Sequence, residues 1–284
     1  MLVGDWYLGF AEIKPGMARR IHLATDLMKI VADIRRLLDA ILKKYRPIRP
    51  RRRATLRGNR LERDHLAMLS VMHEILTPSA VCLDIGANEG RVLAEMVRVA
   101  PEGRHYAFEP IPVLAESLRM RFPSVIVHGC ALSDTAGESP FHHVLNLPGW
   151  SGLRRQEYPT DVTVEDIQVP LLRLDDVVPA DVAVRFIKID VEGAELQVLR
   201  GGVTTIRHWH PWIVFEYAEI HGLLFGTTPE GIYDYLTNDC ELKVHSLLGS
   251  RRYFTRSAFV KVCRAAAASG YDAEAETNFV ASPS

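Results

Sequence analysis

The segment Asp84-Ile85-Gly86-Ala87-Asn88-Glu89-Gly90 carries the sharpest chemical signal in this 284-residue chain. It follows the apolar run Val81–Ile85 and opens a helical pattern, Arg91 to Val99. Glycines at such a turn let the backbone approach a ligand, and the next helix start offers unpaired N–H groups. Glu109 ends the next apolar run, 23 residues after Gly86. An acid at about 20 residues from such a loop accepts hydrogen bonds from ribose hydroxyls in dinucleotide folds. Together they predict an adenosine-containing ligand. The plainer readings are a tight turn with a structural Asp84 and a solvated strand-end acid. Further along, Lys188, Asp190, Glu192 and Glu195 cluster at one strand end, and Glu216 ends the next. Such carboxylates serve as general bases or as ligands of a hard divalent cation.

The loop is not a nicotinamide fingerprint. G-x-G-x-x-G needs a second glycine for close pyrophosphate approach, and Asn88 stands there. A nicotinamide-dependent oxidoreductase is thus the lesser alternative. A phosphate-binding G-x-x-x-x-G-K-[ST] loop is absent as well.

These residues need a scaffold, and the apolar pattern supplies one. Val81–Ile85, Tyr106–Phe108 and Val125–Val127 read as strands, separated by helical stretches at Arg91–Val99 and Val113–Phe122. This βαβαβ order is the signature of a parallel, doubly wound sheet. Alternation resumes with a strand at Arg185–Asp190, a helix at Ala194–Leu199 and a strand at Trp212–Glu216. A helix around Ile232–Leu236, a strand at Glu241–Ser246 and an edge strand at Thr277–Ala281 complete the reading. Residues 134–183 show turn signals and no clear periodicity. Ligands in such sheets sit at the carboxyl ends of the strands, where Glu109, Asp190 and Glu216 fall.

Several of these segments resemble the FkbM family of S-adenosylmethionine-dependent methyltransferases. They are Leu83-Asp84-Ile85-Gly86-Ala87-Asn88-Glu89-Gly90, Tyr106-Ala107-Phe108-Glu109-Pro110 and Gly129-Cys130-Ala131-Leu132-Ser133-Asp134. Leu174-Asp175-Asp176, Phe186-Ile187-Lys188-Ile189-Asp190-Val191-Glu192-Gly193-Ala194-Glu195, Val214-Phe215-Glu216 and Asn278-Phe279-Val280-Ala281 follow in the same order. The resemblance implies a class I methyltransferase fold, a Rossmann-like, doubly wound α/β architecture with a mostly parallel seven-stranded sheet. It implies S-adenosyl-L-methionine as cofactor and a hydroxyl of a sugar, polysaccharide or natural product as acceptor. Gly86, Ala87, Asn88 and Gly90 would line the methionine end of the cofactor, and Asp84 is a further cofactor-binding candidate. Glu109 would hold the ribose, and Ala131, Leu132 and Asp134 would surround the adenine.

Methyl transfer to oxygen needs alignment of the partners and removal of the hydroxyl proton. Asp190, Glu192, Glu216 and Lys188 are the catalytic candidates. Asp190, Glu192 and Glu216 are the candidate ligands should a divalent metal take part. The alternative is structural: Lys188 pairs with an acid, and the other acids cap the following helix. His142, His143 and His221 are further candidate bases, although a lone histidine is more commonly ordinary surface or core. His208 and His210 flank Trp209 in a helix-to-strand connection. Trp150, Arg154 and Arg155 suit an acceptor lid or, equally, a solvated loop.

Composition sets the outer bounds. Hydrophobic residues are 48% and charged residues 24%, which excludes a wholly disordered or fibrous chain. A net charge of −1 argues against a globally basic nucleic-acid binder, so nucleic acid is not the expected partner. RNA methylation and a non-catalytic adapter role are nonetheless compatible with the same fold class. The charge is uneven: residues 1–64 hold 16 Lys and Arg against 7 Asp and Glu. Residues 1–60 read as a basic helical extension with a linker through Arg49, Arg51, Arg52, Arg53 and Arg57, and 61–284 as the methyltransferase domain. The apolar stripe of residues 17–46 suits packing or homodimerisation, or contact with an anionic membrane. Cys82, Cys130, Cys240 and Cys263 form no C-x-x-C pair and read as buried free thiols. No run approaches ~18 apolar residues and Met1–Phe10 lacks a basic n-region, so the expected location is cytoplasmic.

Overall fold

The computed structural model describes residues 53–283 apart from 159–160, 250–252 and 273, with side chains from Arg60 onward. The stripe of residues 17–46 and Arg49, Arg51 and Arg52 lie outside the described residues, and so do the packing, dimerisation and membrane readings placed on them.

Seven strands form one sheet. They are β1 (Val81–Ile85), β2 (Tyr106–Phe108), β3 (Ile126–His128), β7 (Val184–Ile189), β8 (Trp212–Glu216), β9 (Lys243–Ser246) and β10 (Asn278–Ser282). Their order is β3-β2-β1-β7-β8-β10-β9. The first five run parallel, and β10 runs antiparallel to both β8 and β9. The helices predicted between them are present at Arg91–Val99, Pro112–Arg121 and Glu195–Gly201.

Both faces of the sheet are covered, which explains why its strands read as continuous apolar runs rather than alternating ones. Leu83, Ile85, Ile187, Ile189, Ile213 and Phe215 face one core with Leu199, Ile206 and Phe259. Cys82, Ala107, Phe186, Val214 and Val280 face the other, under Met72, Leu93 and Met96. Side chains alternate along a strand, so Asp84 and Lys188 follow Cys82 and Phe186 onto the second face. The register sets Asp84 beside Lys188.

Three predicted features need correction. The first described helix runs Arg53–Ile75, so it crosses the expected boundary between residues 60 and 61. Arg53 and Arg57 are helical rather than linker: past Pro50 only Gly58 opposes a helix, at a cost of ~1 kcal/mol. Met68, Val71, Met72 and Ile75 form its buried stripe. Second, the strand near the C-terminus is not at an edge. It threads between β8 and β9, with Phe279, Val280 and Ala281 all at 0% exposure. Third, residues 134–183 hold a hairpin, β5 (Gly137–Val144) with β6 (Val164–Leu172), joined by β4 (Ala131–Leu132) in a separate three-stranded sheet. Pro140 lies on the edge strand of that sheet, where a missing N–H is tolerated. A helix at Arg256–Ala268, capped by Thr255, also had no predicted counterpart. The four cysteines are buried and free. Among the described residues no helix is long and apolar enough to cross a membrane.

Candidate active site

The glycine loop is shaped by two close approaches. Gly86 has φ +76°, and a Cβ there would lie 1.9 Å from the carbonyl oxygen of Asp190. Only glycine lets the ends of β1 and β7 meet this closely. Gly90 has φ +75°, and a Cβ there would lie 2.5 Å from Leu118. The Gly86 and Ala87 N–H groups donate to the Phe108 carbonyl, at 3.0 and 3.1 Å. Asn88 itself adopts φ 48°.

Glu109 lies beside this loop. One carboxylate oxygen accepts the Asn88 N–H at 2.7 Å and the other accepts the Ile111 N–H at 2.9 Å. Burial pushes its carboxyl up to about 7, against the pull of those two N–H groups. The charged form is therefore under-solvated, and added hydroxyl donors would favour it. Nearby, the Asn88 side-chain oxygen is buried without a hydrogen-bond partner.

Lys188 ties this half of the site to the next. Its Nζ donates to the Gly86 carbonyl at 2.6 Å and pairs with Asp84 at 3.4 Å and Asp190 at 3.5 Å. Burial works against its charge, but the two carboxylates outweigh that and raise its pKa. Lys188 thus stays an ammonium, and its contacts are those of a strut. Asp84, fully buried, has its carboxyl raised by burial while Lys188 pulls the other way.

The remaining acids divide. Asp190 has a side chain 41% exposed at the open end of β7. Glu195 turns inward and accepts the Gly193 N–H at 3.0 Å and the Val191 N–H at 3.4 Å. That is a structural capping role, and burial pushes its carboxyl to about 7. Glu216 accepts the Thr277 hydroxyl at 3.2 Å. Burial, with the charges of Asp190 and Glu192, raises its carboxyl well above the usual range. Glu192 holds φ 56°; its Oε2 lies 3.2 Å from His221 Nδ1 and accepts from Gln156 Nε2 at 3.2 Å. Asp190, Glu192 and Glu216 do not converge as a cation site: among the described residues no group of three or more His, Cys, Asp or Glu is arranged to hold a metal.

Ala131 and Leu132 are buried in β4 of the small sheet, with Leu132 in the same core as Ile85 and Ile189. Asp134 accepts the Ser133 hydroxyl at 3.3 Å. No hydrogen bond among the described residues joins these three to the glycine loop. Of the histidines, His142 pairs with Asp166 at 2.6 Å on the outer hairpin, and His143 is buried beside it. His210 lies 3.8 Å from Glu241 at the opposite end of β8. The segment between β5 and β6 reaches the site: Trp150 meets the His221 ring edge-on at 6.2 Å, and Arg154 lies over Phe225 at 5.6 Å. The contacts of Gln156 with Glu192 and of Thr277 with Glu216 had no sequence signal, since neither residue lies in a motif.

A parallel sheet whose last strand inserts antiparallel, with a glycine loop after its first strand and an acid after its second, defines a class I methyltransferase fold. The family model described as "Methyltransferase FkbM domain" matches residues 84–243, and the chain belongs to that family. It is 34% identical to the methyltransferase sdnD of Sordaria araneosa, over 45% of this chain and 61% of that one. It is 28% identical to Methyltransferase 1 of Beauveria bassiana, over 45% of this chain and 59% of that one. The matches thus span about three fifths of either relative. A solved FkbM methyltransferase of Methylobacillus flagellatus aligns at 18% identity and TM-score 0.43, covering 88% of this chain and 60% of that one.

Proposed function

We propose that this chain transfers a methyl group from S-adenosyl-L-methionine to a hydroxyl of a sugar, polysaccharide or natural-product acceptor. The observation that carries the reading is Glu109. It is a buried carboxylate at the end of β2, hydrogen-bonded to the N–H of Asn88 in the glycine loop, with its charge under-solvated. A ribose diol supplies the two donors such a group lacks. Gly86, Ala87, Asn88 and Gly90 would cradle the methionine end, with Asp84 and Lys188 holding that loop from below. Ala131, Leu132 and Asp134 remain the proposed adenine surround. When bound, the cofactor offers an electrophilic methyl on a sulfonium sulfur. The chain's own part is to orient the acceptor, exclude water and take a proton. Asp190 stands at the open edge for the acceptor side.

Calorimetric titration with S-adenosylhomocysteine, with NADH as control, tests the first half. Binding of the first alone is the expected outcome. Binding of NADH alone would overturn it, and binding of neither would favour the adapter role. The second half is tested by mass spectrometry on a panel of hydroxylated acceptors, amines and RNA, with and without magnesium. Methylation confined to amines or RNA would overturn the hydroxyl assignment.

A further inference from the structure

Three segments distant in sequence meet around one imidazole. His221, just after β8, sets Nδ1 3.2 Å from the Glu192 carboxylate in the turn after β7. Gln156, from the segment between β5 and β6, donates to the same carboxylate oxygen at 3.2 Å. Trp150 from that segment presses edge-on against the ring. The pairing is built into the backbone: a Cβ on Gly193 would lie 2.5 Å from the His221 carbonyl oxygen, so the two turns are in contact. Both side chains keep some access, His221 at 20% and Glu192 at 16% exposure.

The pair also lies close to the cofactor loop. A Cβ on Gly152 would touch Glu192 at 3.4 Å, and a Cβ on Gly149 would lie 3.5 Å from the Asn88 amide nitrogen. Three residues of chain span at most about 11 Å. Asn88 and Glu192 are thus held within reach of one another, both touched by Gly149–Gly152. An imidazole with a carboxylate on one nitrogen has its other nitrogen fixed in direction and left for a proton.

We propose that His221 is the general base of this site and that Glu192 is the positioning residue that orients it, an assignment that rests on the hydroxyl-methylation reading above. The Glu192 carboxylate, 3.2 Å from Nδ1, favours the tautomer protonated there, which leaves the Nε2 lone pair for the acceptor hydroxyl. As the acceptor O–H bond breaks, the proton passes to Nε2. The oxygen electron pair forms the bond to the methyl carbon. The electron pair of the methyl–sulfur bond stays on sulfur, leaving a neutral thioether. The imidazolium, paired with Glu192, then loses its proton to water.

The test uses the full chain and an acceptor that the wild type methylates. His221→Gly is expected to lower kcat about 100-fold or more, the size of a lost general base. Acceptor KM and S-adenosylhomocysteine affinity stay as in the wild type, and added imidazole restores part of the rate. Glu192→Ala lowers kcat similarly, and Glu192→Gln, which keeps an acceptor for Nδ1–H, recovers part of it. His221→Asn serves where His221→Gly lowers Tm. Wild-type kcat in His221→Gly or His221→Asn would overturn the assignment, as would loss of rate only through loss of cofactor affinity. A wild type that methylates no hydroxyl overturns the function reading and this assignment together; wild-type turnover with an unaffected variant overturns this one alone.

Discussion

A buried acid whose charge is held by two N–H groups and the nearby Lys188, as at Glu109, answers to its ligand. Glu109→Ala should weaken S-adenosylhomocysteine binding roughly 10- to 100-fold, the scale of a lost charge-assisted contact. Unchanged affinity by calorimetry would remove Glu109 from the site. Ribose donors favour the carboxylate, so binding below about pH 7 should release a proton. Affinity should then rise with pH through that value, and titrations in buffers of different ionisation heat measure the release. Glu192 is a different case. Its positive φ costs ~1–2 kcal/mol in a residue with a Cβ. Glu192→Gly should therefore raise Tm or leave it unchanged while turnover collapses, separating the residue's role in the site from any role in the fold. The proposed cofactor residues were legible because Gly86–Gly90 and Glu109 keep a short, fixed spacing along the chain. The Glu192–His221 pair was not, since its members are 29 residues apart and meet only because β7 and β8 are neighbours.

At the scale of elements, β1 and β7 are joined by more than their ladder. Lys188 is the counter-charge of Asp84, which is fully buried. Lys188→Met should cost about 3–5 kcal/mol by leaving that carboxylate unpaired. Asp84→Asn in the same chain should recover part of it; additive losses in chemical denaturation would show that the two do not act as a pair. The strands themselves were readable because interior parallel strands are unbroken apolar runs. The β5–β6 hairpin was not, because it carries Gly137, Pro140, Glu165 and Asp166 on a partly exposed ladder, and its pairing depends on partners across a long connection. β10 was visible as a strand, but its interior position comes from a fold-back that no local pattern encodes. Arg53 and Arg57 read as linker because charge density masked a helix that only Gly58 opposes.

Over the whole molecule, burial holds several acids of the site above their ordinary titration range. The carboxyls of Glu109 and Glu195 are raised to about 7, and that of Glu216 is raised well above its usual value. A raised native pKa means the native state holds protons that the unfolded chain has released. The stabilisation is full below the unfolded value of 4.5 and is lost as pH rises through about 7. A shift of that size is worth about 3 kcal/mol per group. Glu195→Gln should flatten the dependence of unfolding free energy on pH between those limits, and an unaltered slope would contradict the assignment.

The small sheet leaves the main one after β3 and rejoins it before β7, and between its two long strands it carries Trp150 and Gln156 to the reaction side. The glycine loop and Glu109 owe it no strand pairing, while Ala131 and Leu132 of the proposed adenine surround belong to its β4. Under the proposed roles, grafting residues 145–163 between relatives should change which acceptor is methylated while S-adenosylhomocysteine affinity, read by calorimetry, stays the same.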